Sequence, residues 1–243
     1  MSYLISGTTS PAVSNEWYKF DKVISKDTCE KIINLAQDEA WGLLAKARIG
    51  QFDYWEDAEV LKNEKALEED GESPSLFLSH VDGKKTNYKP NHKERISEVF
   101  WTSEQWVYDL IWPFMMRANE EAGWRYDIAA AGECQLTRYK EGSFFNFHRD
   151  GFGDHLSAYD TPHNEFMNGR VRKLSMSLVL NNDFDGGVFE FASYNKEKCT
   201  VTPIDAQMGD MIIFPSAMEH RVTPITKGKR YALVVWFVGP PFK

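Results

Sequence analysis

The chain has few cysteines, no long apolar run and fewer basic than acidic side chains. Its three cysteines, Cys29, Cys134 and Cys199, form no CxxC pair, and an odd count is a poor basis for a disulfide framework. The longest apolar run, Ala232 to Val238, is far too short to cross a bilayer. The N-terminus has no basic stretch followed by an apolar one, so no secretory signal is predicted. We therefore expect a cytoplasmic protein with free thiols and no membrane partner.

The shortage of basic residues argues against nucleic acid as a partner. The chain has 28 Lys and Arg against 36 Asp and Glu, a net charge of −8, whereas binding to phosphate backbones depends on basic side chains. Residues 53–72 alone carry nine acidic and two basic side chains. Such a stretch is typical of a solvated helix or surface segment, and the alternative is a lid that attracts a cationic substrate.

The N-terminal half predicts an arm followed by helices. Residues 1–16 are rich in Ser, Thr, Gly and Pro and predict a flexible arm. A strand at 17–24 leads to a helix capped by Ser25, and a second helix is predicted to begin after Ser103 and to end at Gly123. Pro113 predicts a kink or break in that second helix. Residues 73–95, which lie between the two helices, are polar and indicate loops.

The C-terminal half predicts strands. After Trp124, β-branched and aromatic segments alternate with turn residues. The predicted strands lie near 126–139, 144–149, 171–180, 187–191, 199–204, 210–214, 218–223 and 230–238. Helices first and strands second favour a single domain of the α+β, mainly β class, with the helices packed on one face of an antiparallel sheet or barrel.

His148 and Asp150 form an HxD pattern in the segment FNFHRDGFG. On a strand, residues i and i+2 point to the same face. A histidine from a distant strand, His220, would complete a two-His-one-carboxylate triad, which typically holds Fe(II) in oxygenases and leaves coordination positions open. Alone, the pattern is weak evidence, because a surface histidine before a turn-capping aspartate looks the same.

Arg230 is a candidate carboxylate-binding residue. It lies ten residues after His220, with the turn sequence Thr226 to Lys229 between them, so the two residues are expected on adjacent antiparallel strands. A guanidinium makes two parallel hydrogen bonds to a carboxylate. Arg230 could therefore hold the remote carboxylate of a dicarboxylate whose other end chelates the metal. The alternative is a surface cation at the start of a strand.

Together these motifs resemble the Fe(II)/2-oxoglutarate-dependent oxygenases of the prolyl-4-hydroxylase-like superfamily, and the PKHD-type and phage-like hydroxylases in particular. The resemblance covers about residues 17–243 and is strongest from residue 135 onward. The stretches that carry it are Gln135 to Tyr139 with Gly142, His148-Arg149-Asp150, LSMSLVLNNDFDGGVFEF (174–191), MGDMIIFPS (208–216) and HRVTPITKGKR (220–230), followed by Trp236.

The resemblance implies a fold and a role for each motif residue. The fold is a double-stranded β-helix (jelly-roll) core over residues 125–243, supported by helical residues 17–124. Gly186 and Gly187 would form a tight turn. The implied site residues are the iron ligands His148, Asp150 and His220, the 2-oxoglutarate-binding residues Arg230, Tyr139 and Ser175, and the substrate-side residues Trp236 and Arg172. The implied cofactors are Fe(II), 2-oxoglutarate and O₂, with ascorbate as reductant.

The implied activity is hydroxylation of an unactivated C–H bond, with decarboxylation of 2-oxoglutarate to succinate. A peptidyl proline is the leading substrate, and the alternatives are a free amino acid or other small molecule, or a jelly-roll binding module without activity. Two residues depart from the family pattern. Phe145 stands where many members have Tyr, and Arg230 stands where animal and plant prolyl 4-hydroxylases usually have Lys. The loop 151–170, with His155 and His163, receives no role, and the oligomeric state stays open.

Overall fold

The computed structural model describes residues 15–36, 77–81, 84–88, 95–151, 157–194 and 199–242, with residues 77–81 and 84–88 described by their backbone alone. The acidic segment 53–72 and nearly all of the predicted arm 1–16 lie outside the described residues, as does His155. In chain order the elements are β1 (Tyr18–Phe20), α1 (Lys26–Ile33), β2 (Phe77–Val81), β3 (Lys84–Tyr88), β4 (Arg95–Ile96), β5 (Glu98–Thr102), α2 (Gln105–Glu121), β6 (Ala130–Ala131), β7 (Cys134–Tyr139), β8 (Phe144–His148), β9 (Val171–Val179), β10 (Phe184–Gly186), β11 (Phe189–Tyr194), β12 (Cys199–Ile204), β13 (Met211–Pro215), β14 (Glu219–Val222), β15 (Ile225–Gly228) and β16 (Arg230–Gly239).

Two antiparallel sheets contain most strands of the C-terminal half, and β10 and β15 pair in a separate two-stranded sheet. The large sheet has the order β1-β13-β9-β16-β7-β5, with β6 beside β16, and the small sheet has the order β12-β11-β14-β8-β4. The successive strands β7, β8, β9, β11, β13, β14 and β16 therefore alternate between the large and the small sheet. This alternation is the jelly-roll arrangement, and the predicted mainly β class is confirmed.

One hydrophobic cluster joins the two helices to the large sheet. It contains Cys29 and Ile32 of α1, Val107 and Ile111 of α2, and the alternate residues Leu174, Met176, Leu178, Met211, Ile213, Leu233, Val235 and Phe237 of β9, β13 and β16. Residues of the opposite parity on these strands face the small sheet, because successive strand side chains point to opposite faces. Each fully buried side chain of this size stabilises the fold by ~1.5–3 kcal/mol.

A second hydrophobic cluster fills the space between the two sheets. The large sheet contributes Tyr139, Ile212 and Phe214, and the small sheet contributes aromatic and aliphatic side chains that include Phe189 and Phe191. At one end of the space between the two sheets, polar side chains take the place of this cluster. The candidate site lies there.

Of the two predicted helix starts, the first agrees with the structure and the second does not. Ser25 caps α1 as predicted, and its Oγ accepts a hydrogen bond from the backbone N–H of Thr28 at 3.2 Å. The prediction that Ser103 caps the second helix was wrong, because Glu104 is the cap residue and makes no side-chain capping bond. The helix also continues through Pro113, since the buried side chains on both sides of the proline belong to the same cluster.

Part of the segment predicted as loops is β-structure. Strands β2 and β3 pair with each other in an antiparallel hairpin, and β4, which begins at the last residue of the segment, joins the small sheet. The polar composition of residues 73–95 as a whole hid these strands, because backbone pairing needs no apolar side chains. Strand β5, which follows the segment, joins the large sheet and was not predicted. Residues 17–124 thus contribute strands as well as helices. No helix among the described residues is long and apolar enough to span a membrane.

Candidate active site

Strands β8 and β14 bring the two predicted histidine ligands together. His148 and His220 are paired across the two strands, and their ring centroids are 4.2 Å apart. Asp150 follows β8, and its Oδ1 and Oδ2 lie 3.8 Å from Nε2 of His148 and 3.6 Å from Nε2 of His220. One ligand atom from each residue lies within 4.8 Å of the other two. The structure therefore assembles the triad from residues 72 positions apart in the chain.

The histidine rings are oriented for metal binding. Nδ1 of His148 lies 2.7 Å from the Asn146 carbonyl oxygen, and Nδ1 of His220 lies 2.9 Å from the Met218 carbonyl oxygen. A carbonyl oxygen only accepts hydrogen bonds, so each Nδ1 carries the proton and each Nε2 presents a lone pair. Two lone pairs and a carboxylate facing one another repel unless a cation lies between them. The donor set of two imidazoles and one carboxylate fits Fe(II).

The protonation states of His148 and Asp150 are also those that a metal requires. Burial, followed by the neighbouring His220, lowers the pKa of His148 to about 3, so this ring is neutral at physiological pH. Burial alone would raise the pKa of Asp150, but His220, His148 and Arg172 outweigh it, and the pKa of Asp150 is lowered. Asp150 is therefore a carboxylate. A metal ion binds these forms without first displacing a proton.

Ser175 and Ser216 support the carboxylate ligand. The hydroxyl oxygens of the two serines are 2.9 Å apart, and the backbone N–H of Asp150 donates to the Ser216 carbonyl oxygen at 2.9 Å. A hydrogen bond from Ser175 contributes to the lowered pKa of Asp150. The structure thus places Ser175 beside a ligand of the triad, whereas the resemblance implied a place in the 2-oxoglutarate pocket. Ser216 ends the stretch 208–216 that contributes to the resemblance, but the sequence assigned it no role.

Arg230 and Tyr139 face each other on β16 and β7. The guanidinium carbon of Arg230 lies 5.7 Å from the ring centroid of Tyr139, and the arginine is only 2 % exposed. No carboxylate within the described ranges forms an ion pair with Arg230, and burial lowers its pKa. A buried cation without a counter-charge is costly. The site therefore offers an incoming carboxylate a preformed partner.

The turn predicted at Gly186 and Gly187 makes room for this arginine. Both glycines have positive φ, +76° and +62°. A Cβ at Gly187 would lie 3.0 Å from Cδ of Arg230. The second glycine is therefore required both by its backbone conformation and by the close approach of the arginine side chain.

Trp236 and Arg172 lie together in the wall of a cavity of about 560 Å³. The guanidinium carbon of Arg172 is 4.1 Å from the Trp236 ring centroid. No triad residue lines this cavity, and its link to the triad is Arg172, whose charge lowers the pKa of Asp150. The indole N–H of Trp236 is buried and has no hydrogen-bond partner among the described residues. The cavity is also lined by Trp101, Tyr108 and Met167.

A further arginine of the site was not predicted. Arg95 of β4 is 9 % exposed and donates to Oγ of Ser97 at 2.7 Å and to Oε1 of Gln135 at 2.9 Å. Its guanidinium lies over the ring of Phe145, with 4.4 Å from Cζ to the centroid. Arg95 lies in the polar segment that the sequence indicated as loops, and no motif marks it. Only the pairing of β4 with β8 brings it to the triad.

Comparisons with known proteins agree with this geometry. Residues 134–238 match the family model of the 2OG-Fe(II) oxygenase superfamily, and all eight predicted site residues lie within that range. The chain is 29 % identical over 103 residues to a PKHD-type hydroxylase of Idiomarina loihiensis, covering 42 % of this chain and 39 % of that protein. It is 40 % identical over 72 residues to human prolyl 3-hydroxylase 2, covering 29 % and 10 %. The matches thus span at most about two fifths of these relatives.

A solved structure shares the fold along nearly the whole chain. It is the viral collagen prolyl hydroxylase of Paramecium Bursaria Chlorella virus-1 in its 2OG complex, with a TM-score of 0.54 and 17 % identity, covering 93 % of this chain and 97 % of that one. The shared fold, the matched family range and the His-Asp-His triad agree on one assignment. Residues 134–238 match the 2OG-Fe(II) oxygenase superfamily, and the chain is similar to PKHD-type and prolyl hydroxylases.

Proposed function

We propose that this protein is an Fe(II)- and 2-oxoglutarate-dependent dioxygenase that hydroxylates an unactivated C–H bond, with a peptidyl proline as the leading substrate. The observation that carries the proposal is the meeting of three metal-binding side chains with a buried, uncompensated guanidinium in one inter-sheet space. Bound iron would supply the oxidation, coupled to decarboxylation of 2-oxoglutarate to succinate, with ascorbate as reductant.

The residues of this chain position the reactants. His148 and His220 would each hold the metal through Nε2, and Asp150 would hold it through a carboxylate oxygen. Hydrogen bonds from their Nδ1 atoms fix both imidazole rings before the metal arrives, so little reorganisation accompanies binding. The aromatic ring of Phe145 stacks on His148 with centroids 3.4 Å apart. This ring keeps water from one side of the ligand.

Arg230 would bind the remote carboxylate of 2-oxoglutarate, with Tyr139 beside it. A guanidinium stays charged at every physiological pH and presents two parallel donors to a carboxylate. In a buried site such a pair is worth more than at the surface, because water does not compete for the same donors. Ser175, which forms a hydrogen bond with Asp150, would then help to hold this metal ligand in place.

Two features support a peptide substrate. The cavity beside Trp236 and Arg172 is large enough for several residues' side chains, since ligand pockets of ~300–1,000 Å³ hold drug-sized molecules. The unpartnered indole N–H of Trp236 can donate to a substrate carbonyl oxygen. Similar proteins are a prolyl 3-hydroxylase and a collagen prolyl hydroxylase by name. The acidic-lid hypothesis for residues 53–72 stays a prediction.

Succinate formation tests this proposal. The assay contains Fe(II), 2-oxoglutarate, ascorbate and air, first without a prime substrate and then with proline-containing peptides. We expect His148→Ala to abolish turnover, while His163→Ala, which changes an exposed histidine outside the triad, leaves it unchanged. Mass spectrometry of the peptide would show the gain of one oxygen atom. Wild type that neither forms succinate nor binds 2-oxoglutarate in the presence of a divalent metal would refute the proposal.

A further inference from the structure

The arginine of β4 occupies an unusual position in the site. Arg95 is 9 % exposed, and its hydrogen bonds go to Ser97 at 2.7 Å, to Gln135 at 2.9 Å and to Tyr139, none of which is a carboxylate. No carboxylate in the part of the chain that the structure describes forms an ion pair with it. Burial lowers the pKa of Arg95, while the nearby Tyr139 and Asp150 oppose that effect. The guanidinium is therefore buried, charged and short of a counter-charge.

A continuous stack connects Arg95 to the triad. Its guanidinium lies 4.4 Å from the ring centroid of Phe145, and that ring lies parallel to the ring of His148 at 3.4 Å, with 9° between the planes. The cross-strand pairing of Arg95 with Phe145 fixes this arrangement. Arg95 is thus one aromatic ring away from a metal ligand. The bonds to Ser97 and Gln135 hold the guanidinium in one orientation. That orientation fixes the directions of its remaining N–H groups.

The charges around the site leave positive charge uncompensated. Asp150 faces the guanidinium groups of Arg172 and Arg95 as well as the two histidines. A bound divalent metal adds two further positive charges. The two carboxylates of 2-oxoglutarate would meet the metal and Arg230, which leaves Arg95 to share an anion or to bind another one.

We propose that Arg95 is a second carboxylate-binding residue of the active site, distinct from Arg230, which accepts a carboxylate of a molecule bound beside the triad. This inference deepens the proposed function and rests on it. The carboxylate has two possible sources, the metal-side carboxylate of 2-oxoglutarate or an acidic group of the prime substrate. Both sources use the same chemistry, two parallel N–H bonds from a buried guanidinium.

Calorimetric titration without O₂ separates these sources. Mn(II)-loaded wild type, Arg95→Met and Arg230→Met are titrated with 2-oxoglutarate and with pyruvate, which keeps the 1-carboxylate and the 2-oxo group and lacks the remote carboxylate. If Arg95 binds the metal-side carboxylate, Arg95→Met weakens both ligands by about 30-fold, the equivalent of about 2 kcal/mol. Arg230→Met should weaken 2-oxoglutarate and leave pyruvate unchanged.

Peptides test the second source. Two matched pairs of proline-containing peptides are compared. The members of the first pair have a free and an amidated C-terminus, and those of the second pair have Glu and Gln at the same position. If Arg95 binds the substrate, wild type prefers the acidic member of a pair, and Arg95→Met removes that preference without changing the affinity for 2-oxoglutarate. Arg95→Lys, which keeps the charge and loses the paired donors, should recover part of either effect.

Matched controls guard against a folding defect and against failure of the proposed function. Arg138→Met removes another buried arginine that pairs with Glu98 on the neighbouring strand, and it should leave all these affinities unchanged. The inference is overturned if Arg95→Met alters neither the affinity for 2-oxoglutarate and pyruvate nor the preference among peptides, while wild type binds 2-oxoglutarate. Wild type that binds none of these carboxylates would overturn the proposed function and this inference together.

Discussion

Replacing Arg230 by methionine should stabilise the ligand-free protein and abolish its response to 2-oxoglutarate. The guanidinium is 2 % exposed and has no carboxylate partner in the described part of the chain. A methionine side chain would fill much of the space between the rings of Tyr139 and Phe184, which lie 5.7 Å and 5.9 Å from the guanidinium carbon. Replacing buried charged groups by apolar side chains of similar volume is neutral or stabilising by ~1–4 kcal/mol.

The expected changes are large enough to measure by thermal unfolding. For a chain of this size, 1 kcal/mol shifts the melting temperature by ~2–4 °C, so Arg230→Met should melt several degrees higher than wild type without ligand. Wild type with Mn(II) and 2-oxoglutarate at a hundred times its Kd gains about 2.7 kcal/mol. That ligand-induced shift should nearly vanish in the variant, so the ligand should change the difference in melting temperature between the two proteins by several degrees in favour of wild type.

The same substitution at a paired arginine is the control. Arg138 is also buried, but it forms an ion pair with Glu98, so Arg138→Met should lower the melting temperature and keep the response to 2-oxoglutarate. If Arg230→Met melts well below wild type without ligand, the guanidinium is satisfied within the protein. The inference that Arg230 is a buried cation without a counter-charge in the ligand-free protein would then be wrong.

Three further predictions concern other positions. Gly187→Ala should destabilise the protein by at least ~1 kcal/mol and weaken 2-oxoglutarate binding through Arg230, whereas Gly142→Ala, which also has positive φ but no atom within 4 Å of the added Cβ, should only destabilise it. Asp210, a buried carboxylate with a lowered pKa, accepts two backbone N–H bonds and pairs with a lysine. Asp210→Asn should cost ~1.5–3 kcal/mol at neutral pH in denaturant titrations, and the difference from wild type should fade as pH drops below ~4 through the folded-state pKa of Asp210. Trp236→Phe should raise the KM for the peptide and leave succinate formation without peptide unchanged, since the variant loses the indole donor and part of the ring in the cavity wall.

The sign of the pH effect at Asp210 follows from its bonds. Burial alone would raise the pKa of this carboxyl, but donors at Gln207, Lys22 and Lys19 outweigh it and lower the pKa. A lowered folded-state pKa stabilises the fold fully above the unfolded-state value and not at all below the folded-state value. A difference between wild type and Asp210→Asn that persisted at low pH would contradict this account.

Local sequence patterns sufficed to predict the three residues of the triad and the class of fold. The HxD spacing places His148 and Asp150 on one face of an extended strand, because side chains two residues apart share a face. The expectation that His220 and Arg230 lie on adjacent strands was wrong, because β14 and β16 belong to different sheets and β15 occupies most of the predicted turn. β-branched and aromatic segments between turn residues are enough to indicate a mainly β chain. These features depend on neighbours in the chain, so they were visible without a structure.

Pairings over long distances in the chain were decided by the tertiary structure alone. Arg95 reaches the triad because β4 pairs with β8, and it bonds Gln135 across 40 positions. The bond between Ser175 and Ser216 spans 41 positions. Strand register and the packing of two sheets set such contacts, and a one-residue shift in register would turn each side chain to the opposite face. The amino-acid sequence by itself therefore determined which residues form the triad, and the three-dimensional fold decided which charges surround it.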